Sequence, residues 1–189
     1  MKKKSLSILS LALAAAFALP SIASASELSY THVELGYQHV DTDLNVDADG
    51  AYIRGSYEIQ DSGMYVLGSY AHLSNDVVDI KPRQSSLGLG YHHSFTNRLD
   101  GLAEASYQHT DTRIGNVNGW RFSAGVRGLV ADQWEALAKV NYYDGVDYAG
   151  DTTGTVGIQY RITPRWGVAT EIEFDGDHEI YQVGLRATF

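Results

Sequence analysis

The sequence predicts an all-β fold, a closed up-and-down antiparallel transmembrane β-barrel of about ten strands, with eight as the alternative. Three observations point there. From residue 28 onward apolar and polar residues alternate, as successive side chains of a strand do. Turn residues interrupt the alternation at intervals of about a dozen positions, and no stretch has helical periodicity. Short connections also take turns with longer, mostly acidic ones.

Ten segments carry the pattern, at about 28–40, 50–60, 64–74, 83–93, 98–109, 118–130, 134–143, 152–162, 166–174 and 179–189. The first sets Thr31, Val33, Leu35 and Tyr37 against His32, Glu34, Gly36 and Gln38. The second sets Ala51, Ile53, Tyr57 and Ile59 against Tyr52, Arg54, Ser56 and Glu58. Both faces of the third are mixed, so its register is not assigned. The fourth carries Gly88-Leu89-Gly90-Tyr91, and the fifth has Glu104 on its polar face and Tyr107 on its apolar one. The sixth is clearest: Trp120, Phe122, Ala124 and Val126 oppose Arg121, Ser123, Gly125 and Arg127. The seventh opposes Trp134 and Tyr142 to Glu135 and Lys139. In the eighth, Val156, Ile158 and Tyr160 oppose Thr155, Gly157, Gln159 and Arg161. In the ninth, Val168, Ile172 and Phe174 oppose Ala169, Glu171 and Glu173. The tenth sets Tyr181, Val183, Leu185, Ala187 and Phe189 against Gln182, Gly184, Arg186 and Thr188.

The short connections are 61–63, 94–97, 131–133 and 163–165. The interleaved ones are 41–49, 75–82, 110–117 and 144–151, with a tight Asp175-Gly176-Asp177 that alone separates the last two strands. Ten up-and-down strands put both termini and all short turns at one end. The acidic connections then share the other, the asymmetry of barrels that cross a membrane.

Alternation leaves open which face is inside. Three features favour an apolar exterior. Aromatic residues of the apolar set form two rows near the strand ends. Tyr57, Tyr91, Trp134, Tyr160, Trp166 and Phe189 make one; Tyr37, Tyr107, Trp120, Tyr142, Phe174 and Tyr181 make the other, as in interfacial girdles. The polar set holds Glu34, Glu58, Glu104, Glu135, Glu171 and Glu173 against Arg54, Arg121, Arg127, Lys139, Arg161 and Arg186. Six acids facing six bases is what charges enclosed together require. The segments are also near the roughly 9–11 residues a tilted strand needs to cross hydrocarbon. In lipid the sheet must close, because an open edge leaves backbone groups unpaired.

Residues 1–25 read as a secretory signal peptide. Lys2, Lys3 and Lys4 precede an apolar stretch from Leu6 to Leu19; Pro20 breaks it, and Ala23-Ser24-Ala25 forms the cleavage site. The domain then covers residues 26–189. There is no cysteine, so neither disulfides nor thiolate metal sites can hold it. Loss of the three lysines leaves eleven basic against 23 acidic residues, a poor surface for nucleic acid. No cofactor is expected.

Taken together, the acidic stretch before Gly50, the Gly88–Tyr91 motif, the Trp120–Val126 strand, the Pro164-Arg165-Trp166-Gly167 turn and the last strand carry a resemblance. The chain resembles the small outer-membrane β-barrel domain family of the OmpA/OmpX type. More narrowly it is similar to the short secreted outer-membrane proteins first described in xanthomonads and linked to signalling. The resemblance covers 26–189 and implies a Gram-negative outer-membrane location with no established reaction. It also implies contact with outer-membrane lipids and lipopolysaccharide, and with the barrel-assembly machinery, for which Tyr181, Val183, Leu185 and Phe189 form the assembly signal.

Three sets of residues are candidates for function. The twelve enclosed charges fill the lumen with ion pairs; small barrels are filled by side chains, and wide channels need roughly 16 strands. Asp41, Asp43, Asp47 and Asp49 offer carboxylates to a weakly held divalent cation. They are not an EF-hand, which would place Gly at Val46 and Glu at Tyr52. His92-His93-Ser94 could suggest hydrolysis, but no orienting acid is identifiable and the site falls beside a short turn. The expectation is a non-enzymatic barrel with a role in envelope integrity or surface interaction. The alternative is a narrow passive channel for small solutes or ions.

Overall fold

The computed structural model describes residues 28–42, 47–60, 62–75, 81–112, 115–145, 148–175 and 178–189. Ala23 and Ala25 of the signal peptide, and Asp43 of the acidic loop, lie outside these residues.

Ten strands follow one another: β1 (His32–Thr42), β2 (Ala48–Glu58), β3 (Met64–Ser74), β4 (Arg83–Thr96), β5 (Leu99–Thr112), β6 (Gly115–Ala131), β7 (Trp134–Gly145), β8 (Tyr148–Arg161), β9 (Trp166–Phe174) and β10 (His178–Thr188). Each pairs antiparallel with its sequence neighbours, and β1 pairs with β10 from His32↔Thr188 to Thr42↔His178, closing the barrel. The count is ten, not eight, because β9 and β10 are two full strands, paired from Glu179↔Phe174 to Ala187↔Trp166.

Two boundaries differ from the sequence pattern. The first strand begins at His32, and residues 28–31 do something else, described below. The central hairpins are longer than expected. Pairing continues to Thr112↔Gly115 and to Gly145↔Tyr148, so most of 110–117 and 144–151 is ladder rather than loop. Backbone pairing does not depend on side-chain polarity. These arms carry polar residues such as Asp111, Asn116 and Asp144, which reach beyond the greasy band without cost.

The faces are inverted relative to a water-soluble barrel. Tyr37, Leu89, Trp120, Phe122, Ile158 and Val183 project outward and are exposed, and Leu87 is the extreme at 67 %. Glu34, Asn141, Thr155, Gln159 and Arg186 are buried inside. Such a surface would be costly in water and is favourable in hydrocarbon. Both aromatic rows stand on the exterior, with one exception. Phe189 is only 6 % exposed, packed with Ala187 under Trp166 and with the Arg165 guanidinium 5.0 Å from its ring centre.

β3 resolves the register that its sequence leaves open. Tyr65, Leu67, Ala71 and Leu73 face inward, and Met64, Val66, Tyr70 and His72 outward. Both sides are apolar because this strand lines two small internal clusters. Tyr65 and Leu67 join Leu28, Tyr30 and Leu129 at the turn end. Ala71 and Leu73 join Val40, Ala48 and Tyr52 at the loop end.

Glycine is required where Tyr52 crosses the wall. A Cβ on Gly36 would meet the Tyr52 ring at 2.7 Å, and one on Gly184 would meet its hydroxyl at 2.6 Å. The two glycines let the phenol lie flat against β1 and β10 and reach Glu34. Gly184→Val should displace that ring and lower the urea stability of the refolded protein by about 1–3 kcal/mol, the usual cost of overpacking. An unchanged urea midpoint would contradict this account.

Candidate functional site

The alternation of β1, β2, β9 and β10 brings four charges to one level inside the barrel. Glu34 Oε1 lies 2.8 Å from Arg54 Nη2, and Glu34 Oε2 lies 2.6 Å from Arg186 Nε. Glu171 Oε1 is 2.6 Å from Arg54 Nη2 and 3.4 Å from Arg186 Nη2. The Tyr52 hydroxyl donates to Glu34, and Arg186 Nη1 donates to Gln159 at 2.8 Å. Glu34 is 0 % exposed. Two acids and two guanidiniums thus form a square that neutralises itself.

A second group joins β5 to β9. Arg121 reaches Glu173 at 3.0 Å, and Tyr143 and Thr153 donate to the same carboxylate at 2.7 and 2.6 Å. Lys139 reaches Glu104 at 3.2 Å, with Tyr65 donating to it at 2.9 Å. A third pair, Arg127–Glu135, is made at 2.6 Å; Arg161 Nε stands 3.5 Å from the same acid. Glu58 takes no guanidinium among these groups. It meets His92 Nε2 at 3.0 Å.

A cavity of about 460 Å³ runs down the lumen past these groups. Its loop-end lining includes Gln108, Thr110, Asp175 and His178. One wall is charged, with Arg54, Glu171 and Arg121; the other is small and neutral, with Ser69, Ser86 and Ser106. Ser69 and Ser86 share a 2.7 Å hydrogen bond. The cavity ends toward the turn end on Tyr30, Tyr65 and Arg127.

That floor is built by the four residues ahead of β1. Leu28 is 0 % and Tyr30 3 % exposed, so the segment turns into the mouth of the barrel. Arg127 Nη1 donates to the Ser29 carbonyl at 2.8 Å, and its guanidinium lies 5.1 Å from the Tyr30 ring centre. The Ser29 hydroxyl donates to the Phe189 carbonyl at 2.8 Å, and Ser56 donates to the Tyr30 carbonyl. Tyr30 stacks on His92 with 3.9 Å between ring centres and tilts against Tyr65 at 4.9 Å. Burial pushes the Tyr30 phenol well above its ordinary range.

His92 answers the question raised by His92-His93-Ser94. It has acids after all: Glu58 at Nε2, and the fully buried Asp100 with Oδ2 3.5 Å from Nδ1. Both ring nitrogens therefore face carboxylates, and neither is turned to the Ser94 hydroxyl. The strand parity that marks Glu104 as inward also marks Asp100, four residues earlier.

The remaining sequence candidates are dispersed. Asp41, Asp47 and Asp49 are near the loop end; Asp49 accepts a hydrogen bond from Tyr37, and Asn75 donates to the Asp47 carbonyl. Among the described residues no three acids or histidines are arranged to hold a metal ion. Tyr181, Val183 and Leu185 are exposed on the outer face of β10, with Phe189 covered as described.

No family model matches the chain, and no curated protein matches it. Solved structures do. The KdgM porin in complex with disordered oligogalacturonate is 15 % identical with a TM-score of 0.50, over 82 % of this chain and 99 % of that one. The NanC porin is 12 % identical with a TM-score of 0.45, over 84 % and 100 %. Neisserial surface protein A is 14 % identical with a TM-score of 0.44, over 85 % and 98 %. At such identity the KdgM likeness speaks for the fold alone. The fold is that of an outer-membrane β-barrel.

Proposed function

We propose that the chain is a non-enzymatic outer-membrane protein, exported through a cleaved signal peptide at residues 1–25 and inserted by the barrel-assembly machinery. The turn end faces the periplasm and the acidic loop end faces outward. The lumen is a vestibule open to the outside and closed below, so the protein serves envelope integrity or surface contact rather than standing as a pore. The observation that carries this reading is the floor made by Leu28, Tyr30, Tyr65 and Leu129. Above it the lumen charges are paired with one another. The narrower likeness to xanthomonad-type secreted proteins adds a role in signalling to test, and no reaction.

A second reading has its own observation. The cavity above the floor is large enough for a small solute. The KdgM porin, similar in fold, is described in complex with disordered oligogalacturonate. A narrow channel that opens when the floor moves would reconcile the cavity with the closed end. Refolded wild-type protein in a planar bilayer separates the two readings. The closed barrel gives no sustained current; discrete, salt-dependent steps from the wild type would favour the channel.

A further inference from the structure

We propose that His92, held between Glu58 and Asp100, is a proton-binding site that latches the floor of the lumen. With its proton the ring keeps the segment ahead of β1 seated in the turn-end mouth; without it the segment loosens. This rests on the reading of residues 28–31 as the floor.

The arrangement is complete only with a charged ring. His92 Nε2 lies 3.0 Å from Glu58 Oε1, and Nδ1 lies 3.5 Å from Asp100 Oδ2. An ionised carboxylate only accepts hydrogen bonds, and a neutral imidazole has a single N–H. A neutral ring therefore turns a lone pair on one of its two acids, whereas the imidazolium presents an N–H to each. Asp100 depends on that charge. It is 0 % exposed, and among the described residues no Lys or Arg pairs with it. A carboxylate so enclosed calls for a counter-charge, and His92 is the group that stands there.

The proton is coupled to the floor through the ring itself. Tyr30 lies on His92 with 3.9 Å between ring centres and 8° between planes. Tyr65 of β3 stands 6.3 Å from His92, centre to centre. Two further charges act on Tyr30, Arg127 of β6 and Glu104 of β5. Both are already engaged, Arg127 with Glu135 and Glu104 with Lys139. The other inward histidine at this end, His32, meets the Ser56 hydroxyl at 3.1 Å, not an acid. Loss of the His92 proton thus sets a lone pair against a carboxylate directly under the Tyr30 stack. Relief comes by turning the ring, which takes the stack away. The site is also within reach of water. The His92 backbone N–H donates to the Gly63 carbonyl of the β2–β3 turn at 2.8 Å, and the Glu58 side chain is part-exposed.

Histidine is the side chain whose charge changes between about pH 5 and pH 8, so hydrogen exchange read by mass spectrometry at those two values tests the latch. The probe is the peptide covering 28–31 in the refolded protein. Its rate is divided by that of the same peptide in the unfolded chain at the same pH, which removes the base catalysis of exchange. From the lower pH to the higher this ratio should rise about tenfold, the loss of one charge-assisted hydrogen bond. A β6 peptide in the same sample should stay level. Asp100→Asn supplies an amide N–H to a neutral Nδ1, so its ratio should stay low at both values. His92→Gln should give one ratio at both, and His32→Gln should keep the rise. No rise in the wild type, a rise that survives Asp100→Asn or His92→Gln, or one that vanishes with His32→Gln would each overturn the latch. Heat-modifiable migration establishes that each variant is a closed barrel. Sustained bilayer current from the wild type at about pH 5 would instead overturn the closed floor, and the latch with it.

Discussion

Glu34→Ala should cost the barrel about 3–5 kcal/mol of stability, because it leaves two buried guanidiniums short of their counter-ion. Arg54 and Arg186 each rely on Glu34, and Glu171 alone then faces both. The Tyr52 hydroxyl loses its acceptor as well. Glu34→Gln keeps the acceptor and the shape, and should lose less. The double change Glu34→Leu with Arg186→Leu should be milder than Glu34→Ala, since it removes a charge of each sign. Urea titration in lipid vesicles, followed by tryptophan fluorescence, measures all three. A loss below about 1 kcal/mol for Glu34→Ala would mean that water reaches the square and screens it. Arg98→Ala is the control: its partner Asp132 is exposed at the opposite end of the scale, and stability should hardly change.

Tyr30→Ala combined with Leu28→Ala should turn a silent barrel into a conducting one. The two side chains occupy the turn-end mouth, and the cavity stops against Tyr30. Removing both leaves the Ser29 hydroxyl, donating to the Phe189 carbonyl, and the Thr31 hydroxyl, accepting from the Glu58 N–H, to hold the segment without filling the opening. Planar-bilayer recordings should show sustained, salt-dependent steps from the variant and none from the wild type. Heat-modifiable migration on gels would establish that the variant barrel is closed. A variant that folds and stays silent would move the barrier from the floor to the charge lattice above it. Arg127→Ala then becomes the informative change, because Arg127 belongs to both, through Ser29 and through Glu135.

Much of the barrel was legible in the sequence because the side-chain period of two survives wherever one face meets lipid and the other meets charge. β6 is the plainest case, with Trp120, Phe122 and Val126 outside and Arg121 and Arg127 inside. The signal fails where the inside is apolar too. β3 is unreadable for that reason: Leu73 faces inward as part of a buried cluster, while Val66 faces outward. The floor was hidden by the same effect. Leu28 and Tyr30 alternate with Ser29 and Thr31 but place apolar residues on the face that is polar in β1, so a strand extended through them hides their role on its inner side. The acids around His92 were recoverable from parity, but the stack on Tyr30 was not. It joins residues 62 positions apart, on elements that meet only once the barrel is closed.

The Glu34–Arg186 contact spans 152 positions of sequence. Its partners sit on the first and last strands, so it cannot exist until every hairpin between them is in place. Contacts this distant pay their loop entropy last. During assembly the leading and trailing edges therefore carry opposite charges toward each other across an open seam. Before the seam closes Glu34 has Arg54 on β2 and Arg186 has Glu171 on β9, and zipping in register joins the two half-squares into one. The native register is the one in which Glu34 meets Arg186, so the clasp adds its weight to that alignment over its neighbours.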